Sequence, residues 1–221
     1  MANTVNDTVK QHLSSTTTGA ILHRAAGYDL LVWLLTFGRE RSFRERALRL
    51  AALQTGESVL DVGCGTGTLA IAAARYVGPT GGVFGIDASA DMIARAKRKA
   101  ARAGVNVVFE NAVAEALPFR DAQFDVVLAT VMLHHLPRPA RRWCAAEMRR
   151  VLKPGGRVLA VDFGKPAQKH GGLLRRFHRH GHVDVRDLVT MFSDVGLTVL
   201  ERGDVGLLNL QFVRASTLSS A

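Results

Sequence analysis

Five short apolar runs organise the chain from residue 59 onward: 59–62, 83–86, 105–110, 124–130 and 157–163. Most are nearly continuous rather than alternating, the pattern of strands covered on both faces of a parallel sheet. Helical stretches separate them. Residues 69–76 are alanine-rich and form helix readily. Residues 91–102 and 139–152 carry basic side chains between apolar positions. Gly78-Pro79-Thr80-Gly81-Gly82, Gly104 and Lys153-Pro154-Gly155-Gly156 punctuate the series as turns and helix stops. Strands alternating with helices at this interval predict right-handed βαβ units and an α/β fold.

Both ends depart from that rhythm. Residues 1–18 are polar and Ser/Thr-rich and are expected to be a mobile tail. Residues 21–37 and 39–53 read as two helices ahead of the first strand. In the second, Phe43, Ala47 and Leu50 recur at helical spacing, with Arg39, Arg41, Arg44, Arg46 and Arg49 on the other faces. A solvated helix face explains those arginines equally well. Residues 164–182 form a polar connection, 183–195 a helix, and 198–201 and 207–214 two strands turning around Gly203-Asp204. One domain over 19–221 is predicted: cover helices at 19–55, a core at 56–163 and a substrate-side connection with a terminal hairpin at 164–221.

The densest chemistry lies at the first strand. Val59-Leu60-Asp61-Val62 stops, Gly63-Cys64-Gly65-Thr66-Gly67 turns, and a helix begins. Glycine accepts positive φ and lets a ligand approach bare backbone, and a helix start aims free N–H groups at it. The dinucleotide fingerprint is G-x-G-x-x-G; here the third glycine comes one residue early and Thr68 comes next. Asp87 lies at the end of the second strand, where an acidic residue accepts from ribose hydroxyls. It could instead cap the next helix, a role open equally to Ser89 or Asp91. Met92, one turn on, suits an adenine face or the core.

The D-x-G-x-G-x-G loop resembles motif I of the class I S-adenosylmethionine (SAM) dependent methyltransferases. Three further segments resemble that family in order: Asn111 to Phe119, Phe124-Asp125-Val126-Val127 running to Leu133-His134-His135-Leu136, and Arg150-Val151-Leu152-Lys153-Pro154-Gly155-Gly156-Arg157. The second is similar to the "FDVV…LHHL" run of the methyltransferase type 11 group. Tyr28-Asp29 and Phe37-Gly38 resemble quinone-biosynthesis C-methyltransferases and bacterial phospholipid N-methyltransferases. The resemblance implies a Rossmann-like, seven-stranded, mostly parallel sheet with a C-terminal antiparallel hairpin and helices on both faces. It implies SAM as cofactor, with S-adenosylhomocysteine as product. By the same resemblance the cofactor would lie against Tyr28, Asp61, Gly63, Cys64, Gly65, Gly67, Asp87, Ala88, Met92, Val113, Ala114 and Thr130. The family's adenine-contacting aspartate falls at Val113, so a backbone amide near Ala114, or Asn111 from a neighbouring position, is the expected substitute.

The sulfonium makes its methyl electrophilic, so alignment and water exclusion supply most of the catalysis. His134 and His135 are the candidate general bases; core packing and loop capping are their structural alternatives. Ala129-Thr130-Val131-Met132 lacks the N/D-P-P-Y/F of adenine-amino methyltransferases. Neither Cys64 nor Cys144 comes after a proline, as in cytosine C5 enzymes, and two cysteines cannot supply the three that arsenite methylation uses.

The two cysteines fit a reducing cytoplasm and no disulfide framework, and no metal-ligand spacing occurs. Net charge is +10, which favours an anionic partner. The expected acceptor is a small molecule or lipid: a quinone precursor or a phospholipid headgroup. Residues 39–49, 138–153 and 175–182 are expected to hold the protein peripherally on an anionic membrane, at the inner face. An RNA methyltransferase is the alternative enzyme, with nucleic acid the less favoured partner. A non-catalytic SAM-binding module is the alternative of another class. The acceptor atom and the oligomeric state are not legible.

Overall fold

The computed structural model describes residues 40–164, 183–207 and 209–219. Its elements are α1 (Glu40–Leu50), β1 (Ser58–Val62), α2 (Thr68–Val77), β2 (Gly82–Asp87), α3 (Ala90–Ala103), β3 (Val108–Asn111) and β4 (Phe124–Thr130). A short 3-10 turn (Leu133–His135), α4 (Arg138–Val151), β5 (Leu152–Phe163), α5 (Val185–Asp194), β6 (Thr198–Asp204) and β7 (Leu210–Ser216) complete it. They build one seven-stranded sheet in the order β3-β2-β1-β4-β5-β7-β6. The first five strands are parallel, and β7 runs antiparallel to both β5 and β6.

Apolar runs account for the sheet centre, where Val59, Leu60, Val62, Val126, Val127, Leu128 and Ala129 are fully buried. Leu60, Val62 and Val127 face a core shared with α4 and α5. Val59, Val126 and Leu128 face a second core under α1, α2 and α3. Their alternation places two helix layers on one sheet.

The structure moves some predicted boundaries. β3 begins at Val108, three residues later than its apolar run. β5 starts at Leu152 and runs through Lys153-Pro154-Gly155-Gly156, which reads as a break in the sequence. Thr217 ties this stretch down: its N–H donates to the Gly156 carbonyl at 2.9 Å and its hydroxyl to the Lys153 carbonyl at 2.7 Å. Gly203-Asp204 lies inside β6, and the turn comes after it. The predicted helix at 21–37, the tail at 1–18 and the polar connection beyond Gly164 lie outside the described residues. Among the described residues, no helix is long and apolar enough to cross a membrane.

Candidate cofactor site

Strand β1 ends at Val62, and the chain turns through Gly63, Gly65 and Gly67 at φ of +70°, +53° and +76°. The Cys64 amide donates to the Ile86 carbonyl at 2.8 Å and the Gly67 amide to the Cys64 carbonyl at 2.9 Å. Gly67 caps α2 in the left-handed region, which only glycine occupies cheaply. Space requires it as well: a Cβ there would lie 2.6 Å from Phe109 Cζ and 2.9 Å from Ala96 Cβ. A Cβ at Gly63 would lie 2.8 Å from Met132 Cβ. Lys99 of α3 anchors the loop from outside, donating to Thr68 Oγ1 at 2.6 Å and Thr66 Oγ1 at 3.2 Å.

Asp87 closes the loop from the end of β2. Its Oδ2 accepts from the Gly65 amide and its Oδ1 from the Ser89 amide, both at 2.9 Å. Burial raises the carboxyl pKa above its usual value, and the two amides pull it back. The cap of α3 is Ser89, whose hydroxyl accepts from Met92 N, so Asp87 is not needed for that role. Ala88 joins the two. Met92 is buried and packs from the first turn of α3. Asn111 directs its Nδ2 to the Asp87 carbonyl at 2.8 Å. That fixes β3 against β2 and commits the donor half of the amide.

Asp61 is 1% exposed. Among the described residues neither of its carboxylate oxygens has a hydrogen-bond partner. Its pKa is pushed up to about 7, first by burial and then by the Asp87 charge, while the Ala70 N–H in the first turn of α2, outside hydrogen-bond geometry, draws it down. Burial, and after it the charges of Asp61 and Asp87, raise the Cys64 thiol well above its ordinary value. Cys64 therefore stays protonated and offers no nucleophile.

The adenine-edge segment leaves β3 as a turn in which Ala114 is buried and Val113 half-buried. Arg150 and Glu147 of α4 pin the next few residues. Leu117 N donates to Glu147 Oε2 at 2.8 Å, and Arg150 donates to the Leu117 and Phe119 carbonyls. Phe84, Phe119 and Phe124 close behind it in edge contacts of 5.0–5.8 Å.

Thr130 ends β4 across from Val161. Val131 comes next at φ +55°, a costly conformation for a β-branched residue, fixed by its N–H to the Val161 carbonyl at 2.7 Å. His134 stands in the 3-10 turn beyond. Its Nδ1 lies 2.7 Å from Asp162 Oδ1, and its backbone N–H donates to Asp162 Oδ2 at 3.0 Å. The His135 ring lies against His134 at a 42° tilt, centroids 3.9 Å apart. Asp162 is absent from the residues that the sequence singles out. A lone acid in the apolar run Val158 to Phe163 is the signal available for it.

The structure thus gathers Asp61, Gly63, Cys64, Gly65, Gly67, Asp87 and Ala88 around the ends of β1 and β2. Thr130, His134 and Asp162 stand at the ends of β4 and β5, and Val113 and Ala114 flank the β3 end. Tyr28 lies outside the described residues. Among the described residues, no cluster of three metal-ligating side chains occurs.

The arrangement defines a class first: an open α/β sheet whose switch point lies between β1 and β4, with the ligand crevice beyond the strand ends. Residues 59–156 match the methyltransferase domain family, and the sheet order and helix layers are those of the class I SAM-dependent methyltransferase fold. Over 147 residues it is 40% identical to the ubiquinone/menaquinone biosynthesis C-methyltransferase UbiE of Pseudomonas savastanoi pv. phaseolicola, covering 66% of this chain and 57% of that protein. The chain therefore spans little more than half the length of such relatives. Among solved structures, a SAM-dependent methyltransferase from Aquifex aeolicus superposes with a TM-score of 0.71 at 23% identity, over 86% of this chain and 98% of its own. A Haemonchus contortus phosphoethanolamine N-methyltransferase 2, in complex with SAM, gives 0.66 at 18% identity, over 82% and 53%. Both share the fold.

Proposed function

We propose that this chain transfers a methyl group from SAM to a small or lipid-like acceptor, with a quinone precursor favoured over a phospholipid headgroup. The observation that carries the reading is the pairing of a three-glycine loop with Asp87, whose carboxylate accepts from the loop amide of Gly65. The residues present fit SAM. Asp87 would take the ribose, and the glycine loop gives close approach along bare backbone. The Asp61 carboxylate, buried without a partner among the described residues, is a ready acceptor for the cationic amino-acid end. Val113, Ala114 and Met92 supply an apolar wall for the base. When bound, SAM supplies an electrophilic methyl on a sulfonium; the chain's part is to align and to exclude water.

The 40% identity to a ubiquinone/menaquinone biosynthesis C-methyltransferase supports the quinone preference. The charge distribution supports delivery at an anionic membrane. Arg95, Arg98 and Arg102 of α3 line a recess of ≈ 310 Å³ with Lys99, and the three arginines make no ion pair among the described residues. The stretch 138–153 contributes less than its sequence suggests. Arg138 pairs with Asp187, Arg142 with Asp194, Arg150 with Glu147 and Asp121, and Lys153 with Asp125. Residues 175–182 lie outside the described residues.

The test is SAM binding by calorimetry. Hydrogen bonds to a charged group contribute roughly 1.5–3 kcal/mol. Asp87→Ala should therefore weaken SAM about 10- to 150-fold. Unchanged affinity would remove the ribose assignment. Tight SAM binding by the wild type with no transfer to quinols, phospholipids or RNA would favour a non-catalytic module.

A further inference from the structure

We propose that Asp162 is a positioning residue that holds His134 as the proton acceptor of the reaction, and that the acceptor therefore belongs to the class that must lose a proton on methylation, one with an O–H, N–H or S–H to give, of which a phenol or enol is the case that fits a quinone precursor. The proposal rests on the methyl-transfer reading.

Asp162 is fully buried near the end of β5. A bare carboxylate there would be costly, and it is fully engaged. Oδ1 accepts from Phe163 N at 2.8 Å and faces His134 Nδ1 at 2.7 Å; Oδ2 accepts from His134 N at 3.0 Å. One carboxylate thus grips both the backbone and the ring of a single residue. An ionised carboxylate only accepts, so the hydrogen-bond network assigns the ring proton to Nδ1 and leaves a lone pair on Nε2. A base oriented by a buried acid in this way is the arrangement of hydrolase triads, reached on a different fold. The His135 ring lies tilted against one side of it, and Phe163 meets it edge-on with centroids 5.4 Å apart. Arg141 of α4 is the nearby cation; it is tied to the Leu136 carbonyl at 2.8 Å.

Placement adds the second part. Asp162 lies one residue beyond the Thr130–Val161 pair, so the dyad stands on the same strand-end rim as the glycine loop. The acceptor hydroxyl gives its proton to His134 Nε2. The electron pair of the resulting anion forms the bond to the methyl carbon, at oxygen or at a conjugated ring carbon. The C–S pair returns to sulfur and leaves S-adenosylhomocysteine. Where carbon is methylated, that carbon then sheds its own hydrogen as a proton and the hydroxyl is restored. Either route releases one proton in net. A tertiary amine or a thioether has no proton to give and would make the dyad idle.

The experiment uses the full chain, methyl-labelled SAM and a substituted hydroquinone as probe. Asp162→Asn and His134→Ala should each lower kcat about 10²- to 10⁴-fold, with the KM for SAM within about threefold. The double variant should be no slower than His134→Ala, because both act through one ring. Independently of turnover, nitrogen NMR of the wild type should show His134 protonated at Nδ1 and bare at Nε2, and Asp162→Asn should lose that preference. An Asp162→Asn enzyme with near-normal kcat, multiplicative losses in the double variant, or a wild-type ring protonated at Nε2 alone would each overturn the proposal. Failure of the wild type to bind SAM would instead sink the methyl-transfer reading, and the tautomer measurement would still decide the dyad.

Discussion

At the scale of single residues the site is built from three acids, two buried and one half-buried, that do different work. Asp162 is saturated with donors, Asp87 accepts from two amides, and Asp61 accepts from none among the described residues. The consequence for Asp61 is a pH dependence of stability. Its carboxyl ionises near 3.8 in the unfolded chain and at about 7 in the fold. The folded state therefore holds a proton that the unfolded state has released. Stability from this group is full below about pH 4 and is lost as pH rises through about 7. Asp61→Asn should remove that loss. Denaturation of the cofactor-free protein at several pH values should show the variant gaining on the wild type as pH rises. A constant difference between them across the range would show that Asp61 is ionised throughout. This acid stands plainly in the sequence, but its lack of partners does not, because that depends on where α2 and β2 fall.

At the scale of elements, the glycine loop shows what the sequence conveys and what it withholds. Three glycines after an apolar strand predict a turn into a helix, and the turn forms. The second reason for Gly67 is legible only in three dimensions: α3 and β3 press Ala96 and Phe109 into the space a side chain would need. Gly67→Ala should therefore destabilise the cofactor-free fold as well as weaken binding. Left-handed strain of about 1–2 kcal/mol adds to the steric clash, and thermal unfolding should register a clear drop. A variant that melts like the wild type would show that Phe109 moves aside without cost. Strands of near-continuous Val, Leu and Ala are legible because burial on both faces leaves an unmistakable pattern. The start of β5 is not, because Pro154 and Gly155 imitate a turn, while the pairing with β4 and the closure by Thr217 come from residues far away in sequence. Asp162 hides for the same reason: its partner His134 is 28 residues distant.

At the scale of the whole molecule the basic side chains of the described helices divide between two layers. On the α4–α5 side arginines meet carboxylates across the helix pair, so their fields are largely spent locally. On the α1–α3 side α3 keeps Arg95, Lys97, Arg98 and Arg102 outside any ion pair among the described residues. A basic residue near an anionic leaflet contributes on the order of 1 kcal/mol, screened as salt rises. The protein should sediment with anionic but not neutral vesicles at low salt. Neutralising Arg95, Arg98 and Arg102 together should release it; neutralising Arg138 and Arg142 should release it less. No sedimentation with either vesicle type, together with salt-dependent binding to structured RNA, would transfer the charge to a nucleic-acid role.

The strand order has a further consequence, for the chain as it is made. β1 stands in the middle of the sheet, yet it precedes every other described strand in sequence. Its pairing with β2 closes within a short βαβ unit, but its other edge waits for β4 at Phe124–Thr130. At ribosomal rates of about 5–20 residues per second, the roughly sixty residues between them take about 3–12 s to emerge. Throughout that interval the edge of Val59, Leu60 and Val62 is open and apolar, the kind of surface that pairs with a neighbouring chain. The crevice at the β1–β4 junction, where the cofactor site forms, is therefore also the seam that a nascent chain must keep covered longest.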